Sequence, residues 1–424
     1  METIKLNFEN IEHNGVSVGK FGNRIVFAYG ILPGEKALVK IIKNRKEFIE
    51  AELLKVLNKS PYRIEAKENH YLSCSPWQTF SYDFQIKIKK NILKEIYLKF
   101  ADCQVNLDNF YPAKEIFGYR TKIEYSFLEE GEKHFLAFYK RGNYKEKLKL
   151  ENGCLLIDEE ANKLALDLLE KIDFERLKDL KSLIIRKAKR TNDIHLSLLT
   201  KNRNQSFIYR NKKISGFVFA FSNPKSPASR FDEVLNSWGR EYLKEKILNL
   251  EFFYHYNSFF QNNIELFEEA LKIMIENSED FKKIVDLYSG VGVIGLSLKE
   301  KAKEILAVDV DKNSISYAKI NAEINGVKNF KTLLLPSEKI PSDLLEKTDL
   351  LILDPPRVGL HKKLINLILK TKPQNIFYLS CNPITQARDF NFLKNDYKIK
   401  GVYGFDFYPN TPHLESLLIL TKNK

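Results

Sequence analysis

A cysteine and a carboxylate near the end of the chain have the residue types and spacing that could do chemistry. Cys381 directly follows the apolar run NIFYLS, and Glu415 opens a second apolar run, ESLLIL. A thiolate can add covalently to an electron-poor carbon, and a carboxylate can remove a proton. A buried cysteine is more often inert packing, and Glu415 could be a plain strand-edge acid. His413, two residues before Glu415, could orient it or simply pack.

A glycine-rich turn precedes these residues and predicts a cofactor site. In VDLYSGVGVIG, Gly290, Gly292 and Gly295 follow an apolar run and lead into a helical pattern, so the backbone can turn sharply and approach a ligand. Asp309 closes the next apolar run, where it could accept hydrogen bonds from ribose hydroxyls. Asp286 near the turn disfavours the pyrophosphate of NAD or a flavin, because that group would meet a negative charge. The pattern therefore favours S-adenosylmethionine (SAM).

An Asp-Pro-Pro-Arg element at Asp354 ends a further apolar run. Its prolines fix the backbone, so the carboxylate would be held on a stiff ledge facing a substrate base, unless the element is an ordinary strand-to-loop turn. A thiolate beside SAM suits carbon 5 of uracil, which is a poor nucleophile until sulfur adds to carbon 6. We therefore expect Cys381 to be the nucleophile and Glu415 to remove the proton from carbon 5.

The elements that must position these residues fall into three predicted regions. Residues 1–60 have short alternating runs separated by glycines, which predicts a small β-barrel that either binds RNA or is a structural appendage. Residues 61–255 are mixed and predict a central α+β domain. Its basic stretch FQIKIKKNILKEIYLKF predicts a helix with a solvated basic face, or one that follows an RNA backbone. In residues 256–424, strands alternate with helices, which predicts a doubly wound, mainly parallel α/β sheet.

Composition narrows the function classes. The net charge of +13 suits a polyanionic partner, although a lysine-rich composition alone could produce it. The sequence has no apolar run long enough to span a bilayer and no signal-peptide pattern, so we expect a cytoplasmic protein. Its four cysteines have no C-x-x-C spacing and its seven histidines are scattered, so we expect no metal site.

Together these motifs resemble the RNA uracil-5-methyltransferase family, and the likeness covers nearly the whole chain. In that family, D-L-Y-x-G-x-G, D-P-P-R-x-G, S-C-N-P-x-T-x-x-R-D and F-P-x-T-x-H-x-E occur in this order. They correspond here to Asp286–Gly292, Asp354–Gly359, Ser380–Asp389 and Tyr408–Glu415, with tyrosine at 408 where phenylalanine is usual. The resemblance implies a Rossmann-like SAM domain and 5-methyluridine formation in tRNA or rRNA, by Cys381 and Glu415.

The resemblance also implies further residue roles. Gln261 matches the family's F-x-Q element, which binds SAM, and Tyr288, Asp309 and Asp354 match other positions that contact SAM or substrate. The N-terminal region resembles the TRAM domain, an RNA-binding barrel. Many members carry a four-cysteine iron–sulfur site. This chain keeps two cysteines there, Cys74 and Cys154, so we expect no cluster.

Three alternatives stay open on the sequence. The target could be carbon 5 of cytosine or an exocyclic amine, although amine methylation usually goes with an aromatic residue at the position of Arg357. The chain could also be an RNA-binding or RNA-folding module whose catalysis is incidental or lost. We predict no protein partner and expect a monomer, and the modified uridine cannot be read from the sequence.

Overall fold

The computed structural model describes residues 2–107, 109–175, 177, 179–226 and 228–423, and for residue 144 the backbone alone. No helix in this part of the chain is long and apolar enough to cross a membrane.

The N-terminal region forms a closed five-stranded barrel in the order β1-β2-β3-β5-β4. Along β1, Ile4, Leu6 and Phe8 are buried and the residues between them are exposed, which is the period of two that a strand with one buried face requires. Buried Glu35 contacts Arg63 beyond the barrel, with 2.6 Å between Oε1 and Nε. The barrel strands are β1 Thr3–Ile11, β2 Ser17–Phe21, β3 Arg24–Ala28, β4 Glu35–Asn44 and β5 Phe48–Asn58.

A helical segment then crosses to the C-terminal part of the chain. It contains α1 Tyr71–Cys74, α2 Tyr82–Ala101 and the short strand β6 Phe110–Tyr111. The basic stretch does form the helix α2, but Lys89 is fully buried and contacts Asp406, so part of its basic character is not solvated. Lys89 is therefore not part of the predicted basic face, because this lysine shares a helix face with buried Ile92, Leu93 and Ile96.

The central region is a seven-stranded sheet in the order β13-β12-β11-β10-β7-β8-β9, with α3 packed on β8 and β10. Strand β11 is buried at every residue, as expected for an interior strand covered on both faces. The elements of the central region are β7 Lys122–Glu130, β8 Lys133–Lys140, β9 Asn143–Leu150, α3 Glu159–Glu170, β10 Leu180–Lys187, β11 Ile194–Thr200, β12 Gly216–Phe221 and β13 Glu233–Gly239. A hairpin of β14 Tyr242–Ile247 and β15 Leu250–His255 follows.

The C-terminal region is an eight-stranded sheet in the order β18-β17-β16-β19-β20-β22-β21-β6, with helices on both faces. All its neighbouring strands are parallel except the two pairs that β22 makes. Its remaining elements are α4 Ile264–Glu276, β16 Phe281–Leu287, α5 Val293–Ser297, a 3₁₀ turn Lys299–Lys301, β17 Ala302–Asp309, α6 Lys312–Ile324, β18 Phe330–Leu334, a 3₁₀ turn Ser337–Lys339, α7 Ser342–Leu345, β19 Leu350–Leu353, α8 Lys362–Thr371, β20 Asn375–Ser380, α9 Pro383–Leu393, β21 Tyr397–Phe405 and β22 Glu415–Lys422.

Two hydrophobic cores cover the two faces of this sheet. Along β19, Leu350 and Ile352 belong to one core, while Leu351 and Leu353 belong to the other. Burying each such side chain contributes about 2 kcal/mol, so both helix layers are held firmly. The expected doubly wound α/β architecture with an N-terminal barrel is confirmed. The domain boundaries at residues 60 and 255 stay a prediction, and α2 packs on α9 rather than on the central sheet.

Candidate active site

The glycine turn lies between β16 and α5, at the carboxyl edge of the parallel strands. Tyr288, Gly290 and Gly292 all have positive φ, of 61°, 54° and 86°. A Cβ at Gly292 would lie 3.0 Å from the Phe330 ring, so both the conformation and the space call for glycine. A Cβ at Gly290 would meet nothing within 4 Å, so the backbone there borders open space. The turn can therefore bring its backbone close to a ligand.

Two carboxylates hold this turn in shape. The Gly290 amide N–H donates to Asp309 Oδ2 at 2.8 Å, which fixes the end of β17 beside the turn. The Gly295 amide N–H donates to Asp286 Oδ2 at 3.0 Å, while Asp286 Oδ1 is buried without a hydrogen-bond partner. Burial raises the pKa of Asp286 to about 8, helped by the charges of Asp354 and Asp309 and opposed by the Gly295 hydrogen bond. Asp286 therefore supports the turn rather than contributing a fixed charge.

Gln261 lies on the segment that leads into α4. Its side chain is buried and its Oε1 has no hydrogen-bond partner, as is also true of Ser289 Oγ on the glycine turn. The Ser258 hydroxyl donates to Asp311 Oδ2 at 3.2 Å, which ties the Gln261 segment to the end of β17. Unsatisfied buried polar atoms are rare and indicate a missing partner. Gln261 and the turn thus offer polar groups to a ligand with its own donors and acceptors.

The second half of the site lies at the ends of β19 and β20. Asp354 is half-buried, and desolvation raises the pKa of its carboxyl to about 7. Cys381 is also half-buried. Burial raises the pKa of its thiol to about 12, with the charges of Glu415 and Asp354 adding to the rise, while Arg357 opposes it by its charge and a hydrogen bond. The resting thiol is therefore protonated near neutral pH.

Strand pairing brings Glu415 next to Cys381. Ser380 pairs with Ser416 in the antiparallel β20–β22 ladder, so the residues that follow and precede them, Cys381 and Glu415, lie at neighbouring strand ends. Glu415 is buried, and burial raises its pKa well above the usual carboxyl value. The charge of Asp354 adds to this rise and that of Arg357 opposes it. The charge of Asp354 thus raises the pKa of both Cys381 and Glu415 at this edge of the sheet.

The motif after Cys381 clamps the loop that carries Arg357. Asn382 Nδ2 donates to the Arg357 carbonyl at 2.8 Å, and the Leu360 amide N–H donates to Asp389 Oδ2 at 2.8 Å. Asn382 also caps α9, where Pro383 occupies the first turn. Sequence reasoning used Arg357 only to disfavour amine methylation. The sequence analysis did not predict that Arg357 lowers the pKa of Cys381. The arginine of the Asp-Pro-Pro-Arg motif, directly after a strand, was a signal for that effect.

His413 lies outside this acidic group. Burial lowers the pKa of its imidazole to about 3, and the charges of Arg357 and other cations lower it further, so the ring is neutral. It packs edge-on against Tyr408, with 6.1 Å between ring centroids. It also borders a cavity of about 390 Å³ that Arg120 and Asn262 line. These contacts favour packing over orientation of Glu415.

Comparisons with known proteins agree with this geometry. Residues 81–423 match the model of the tRNA (uracil-5-)-methyltransferase family. An uncharacterized RNA methyltransferase of Caldanaerobacter subterraneus subsp. tengcongensis is 29% identical over 100% of this chain and 99% of its own. One of Nanoarchaeum equitans is 30% identical over 99% of this chain and 94% of its own.

A solved structure is similar over nearly the whole chain. It is the Pyrococcus abyssi tRNA (uracil-54, C5)-methyltransferase in complex with S-adenosyl-L-homocysteine, with 25% identity, 98% coverage of this chain, 99% of the other and a TM-score of 0.81. The unpartnered Gln261 Oε1 and the open space at Gly290 fit a cofactor with polar groups, as SAM is. The chain belongs to the tRNA (uracil-5-)-methyltransferase family and is a SAM-dependent RNA methyltransferase.

Proposed function

We propose that the chain methylates carbon 5 of a uridine in tRNA or rRNA, with Cys381 as nucleophile and Glu415 as base. The observation that carries this proposal is the register of β20 and β22, which puts Cys381 and Glu415 at adjacent strand ends. One uracil ring can then meet sulfur at carbon 6 and a carboxylate at carbon 5. An RNA-binding module with lost catalysis would not need both groups at one edge.

The chemistry divides into addition and elimination. The Cys381 thiol gives its proton to solvent, its sulfur bonds to carbon 6, and the electrons of the carbon 5–carbon 6 double bond move toward oxygen 4. SAM, when bound, would supply carbon 5 with the methyl group of its positively charged sulfonium and would leave as S-adenosylhomocysteine. Glu415 then removes the proton from carbon 5, the double bond re-forms, and the bond between carbon 6 and Cys381 breaks.

The protonation states of Cys381 and Glu415 fit these two chemical steps. A thiol with a pKa of about 12 is unreactive at rest, which protects the enzyme from stray reactions. Arg357 donates to Cys381 and attracts Glu415, so it favours the ionised form of both. We assign Arg357 to stabilising the thiolate during addition. We propose that SAM is held by Gln261, Tyr288, Gly290, Gly292, Asp309 and Asp354.

The RNA would approach past the cavity that His413 borders. Arg120, Lys122 and Arg141 line this cavity and supply positive charge near the site. A duplex hides carbon 5 from a thiol, so we expect the target uridine to leave its stack or to lie in a loop. That the enzyme acts as a monomer in the cytoplasm stays a prediction.

Methyl transfer with labelled SAM tests the proposal. Purified enzyme is incubated with tRNA and rRNA transcripts, and the RNA is digested to nucleosides for mass spectrometry. We expect label in 5-methyluridine. The uridine of tRNA that corresponds to position 54 is the first candidate, since the similar Pyrococcus abyssi enzyme is named for uracil-54. A transcript with cytidine at the mapped position is the control and should stay unlabelled. Label in 5-methylcytidine or in a methylated amine would contradict the proposal.

A further inference from the structure

Four potential metal ligands other than Cys381 and Glu415 meet beside α1. Glu68, His70, Cys74 and Cys154 each offer one ligand atom, and these atoms all lie within 4.8 Å of one another. We call them the Cys74 cluster. Three come from the segment that contains α1, and Cys154 comes from the turn between β9 and α3. The chain thus brings two thiols, an imidazole and a carboxylate to one point from two separate segments.

The imidazole of the Cys74 cluster is oriented as a ligand. His70 is 5% exposed, and its Nε2 is buried without a hydrogen-bond partner. That nitrogen lies 3.1 Å from Glu68 Oε1 but is not aligned for a hydrogen bond. The other ring nitrogen, Nδ1, lies 3.3 Å from Asn69 Oδ1. If Nδ1 carries the proton and donates it to Asn69 Oδ1, the Nε2 lone pair is available to a metal ion.

The carboxylate and one thiol are also held by neighbours. Gln78 Nε2 donates to Glu68 Oε2 at 2.6 Å, and the Leu155 amide N–H donates to Glu68 Oε1 at 2.7 Å. Ser75 Oγ lies 3.0 Å from Cys74 Sγ. Such outer partners fix the orientation of metal ligands and keep one lone pair of each oxygen available. This arrangement goes beyond what packing alone requires.

The iron–sulfur cluster that many relatives carry does not fit these residues. It needs four thiolates, whereas the Cys74 cluster supplies two, and the remaining cysteines, Cys103 and Cys381, are not among its ligands. Two thiolates, one imidazole and one carboxylate do suit a tetrahedral Zn²⁺ ion. With bonds of about 2.0–2.3 Å, tetrahedral ligand atoms are about 3.3–3.8 Å apart, so the cluster needs only a small contraction.

We propose that the Cys74 cluster binds a single Zn²⁺ ion, with Cys74, Cys154, His70 Nε2 and Glu68 as ligands. Binding displaces one proton from each thiol to solvent and changes no oxidation state. With four protein ligands the site is closed, which is the structural rather than the catalytic type. This proposal is independent of the target base and of the roles of Cys381 and Glu415.

The ion would stiffen a segment that supports the active site. The Trp77 amide N–H donates to the Asn410 carbonyl at 3.0 Å, on the loop that leads to Glu415. Arg141 Nε donates to the Leu72 carbonyl at 2.7 Å, which links the same segment to the central sheet. Joining Cys154 to Cys74 through Zn²⁺ would therefore fix the central sheet, the α1 segment and the active-site loop relative to one another.

Metal analysis of the full-length enzyme tests this proposal. The protein is purified with a reductant, incubated with ZnCl₂, desalted and measured by inductively coupled plasma mass spectrometry. We expect about one Zn²⁺ per chain. Replacement of Zn²⁺ by Co²⁺ should give the thiolate-to-cobalt charge-transfer absorption and the visible bands of a tetrahedral ion. Wild-type protein that retains no Zn²⁺, holds iron with acid-labile sulfide, or contains a Cys74–Cys154 disulfide would overturn the proposal.

Matched variants locate the ion. Cys74→Ser and Cys154→Ser should lose stoichiometric Zn²⁺, whereas Cys103→Ser, which alters a cysteine outside the cluster, should keep it. Asn69→Ala should weaken Zn²⁺ binding about 10-fold, because the Nδ1 proton of His70 loses its acceptor. Circular dichroism checks that each variant is folded. Zn²⁺ retained by folded Cys154→Ser protein would place the ion elsewhere and contradict the proposal.

Discussion

Two buried carboxyl groups of the C-terminal segment, those of Asp406 and Glu415, have different neighbours. Asp406 contacts the ammonium group of Lys89, and both side chains are fully buried. At the catalytic edge, burial and the charge of Asp354 raise the pKa of Glu415, while Arg357 acts on it through its charge. The first carboxylate is paired and holds α2 on the sheet. The second has a raised pKa instead, which suits the proton removal that we propose for Glu415.

The largest expected effect comes from removing the proposed nucleophile, Cys381. Cys381→Ala should lower kcat/KM for methyl transfer by about 10⁴-fold or more, because no other group can add to carbon 6. Its stability should change by about 1 kcal/mol or less, since the residue is half-buried. Transfer kinetics and chemical denaturation measure the two effects. Cys103→Ala is the control, and transfer that survives in Cys381→Ala would exclude the covalent route.

Removing the ion pair between Lys89 and Asp406 should lower the stability of the fold more than the rate of methyl transfer. Lys89→Met leaves Asp406 as a buried carboxylate without its ammonium partner, and we expect a loss of about 3–5 kcal/mol in the free energy of unfolding. Lys87→Met, at an exposed position of the same helix, should cost about 0.5 kcal/mol or less. Denaturant titration compares the two variants. Equal stability of both would mean that the buried pair does not hold α2.

The smallest effect is expected at Arg357. Cys381 and Glu415 must both lose a proton to act, and burial raises both pKa values, so kcat/KM should rise with pH. Arg357 opposes these rises, so Arg357→Gln should move the rising limb to higher pH by about one unit. Arg357→Lys keeps the positive charge and should move it less. A pH–rate profile that is the same in Arg357→Gln and wild type would show that Arg357 does not tune these groups.

The residues of the proposed catalytic site can be identified in the sequence because much of the information for them is local. Cys381 and Asp309 each lie at the carboxyl end of an apolar run, and parallel strands align such ends at one edge, whereas Glu415 begins the last run. Which residues approach across that edge depends on strand order. In particular, β22 inserts antiparallel between β20 and β21, which no local pattern specifies.

The Cys74 cluster and the Lys89 pair could not be found in the same way. Cys74 ends the short helix α1 and Cys154 lies between β9 and α3, and no spacing rule relates them to His70 or Glu68. For Lys89 a signal did exist, because it shares the helix face of the buried residues Ile92 and Leu93. Its partner, Asp406, is 317 residues away and is identified by the fold alone.

The most direct test of the account is a search for the covalent intermediate in Glu415→Gln. Without its base this variant can add Cys381 to carbon 6 and methylate carbon 5, but cannot remove the proton that allows release. With tRNA or rRNA and SAM, the account predicts a protein–RNA adduct stable on a denaturing gel, with one added methyl group and the link at Cys381 by mass spectrometry. A folded, RNA-binding Glu415→Gln enzyme that turns over normally, or forms no adduct, would contradict it.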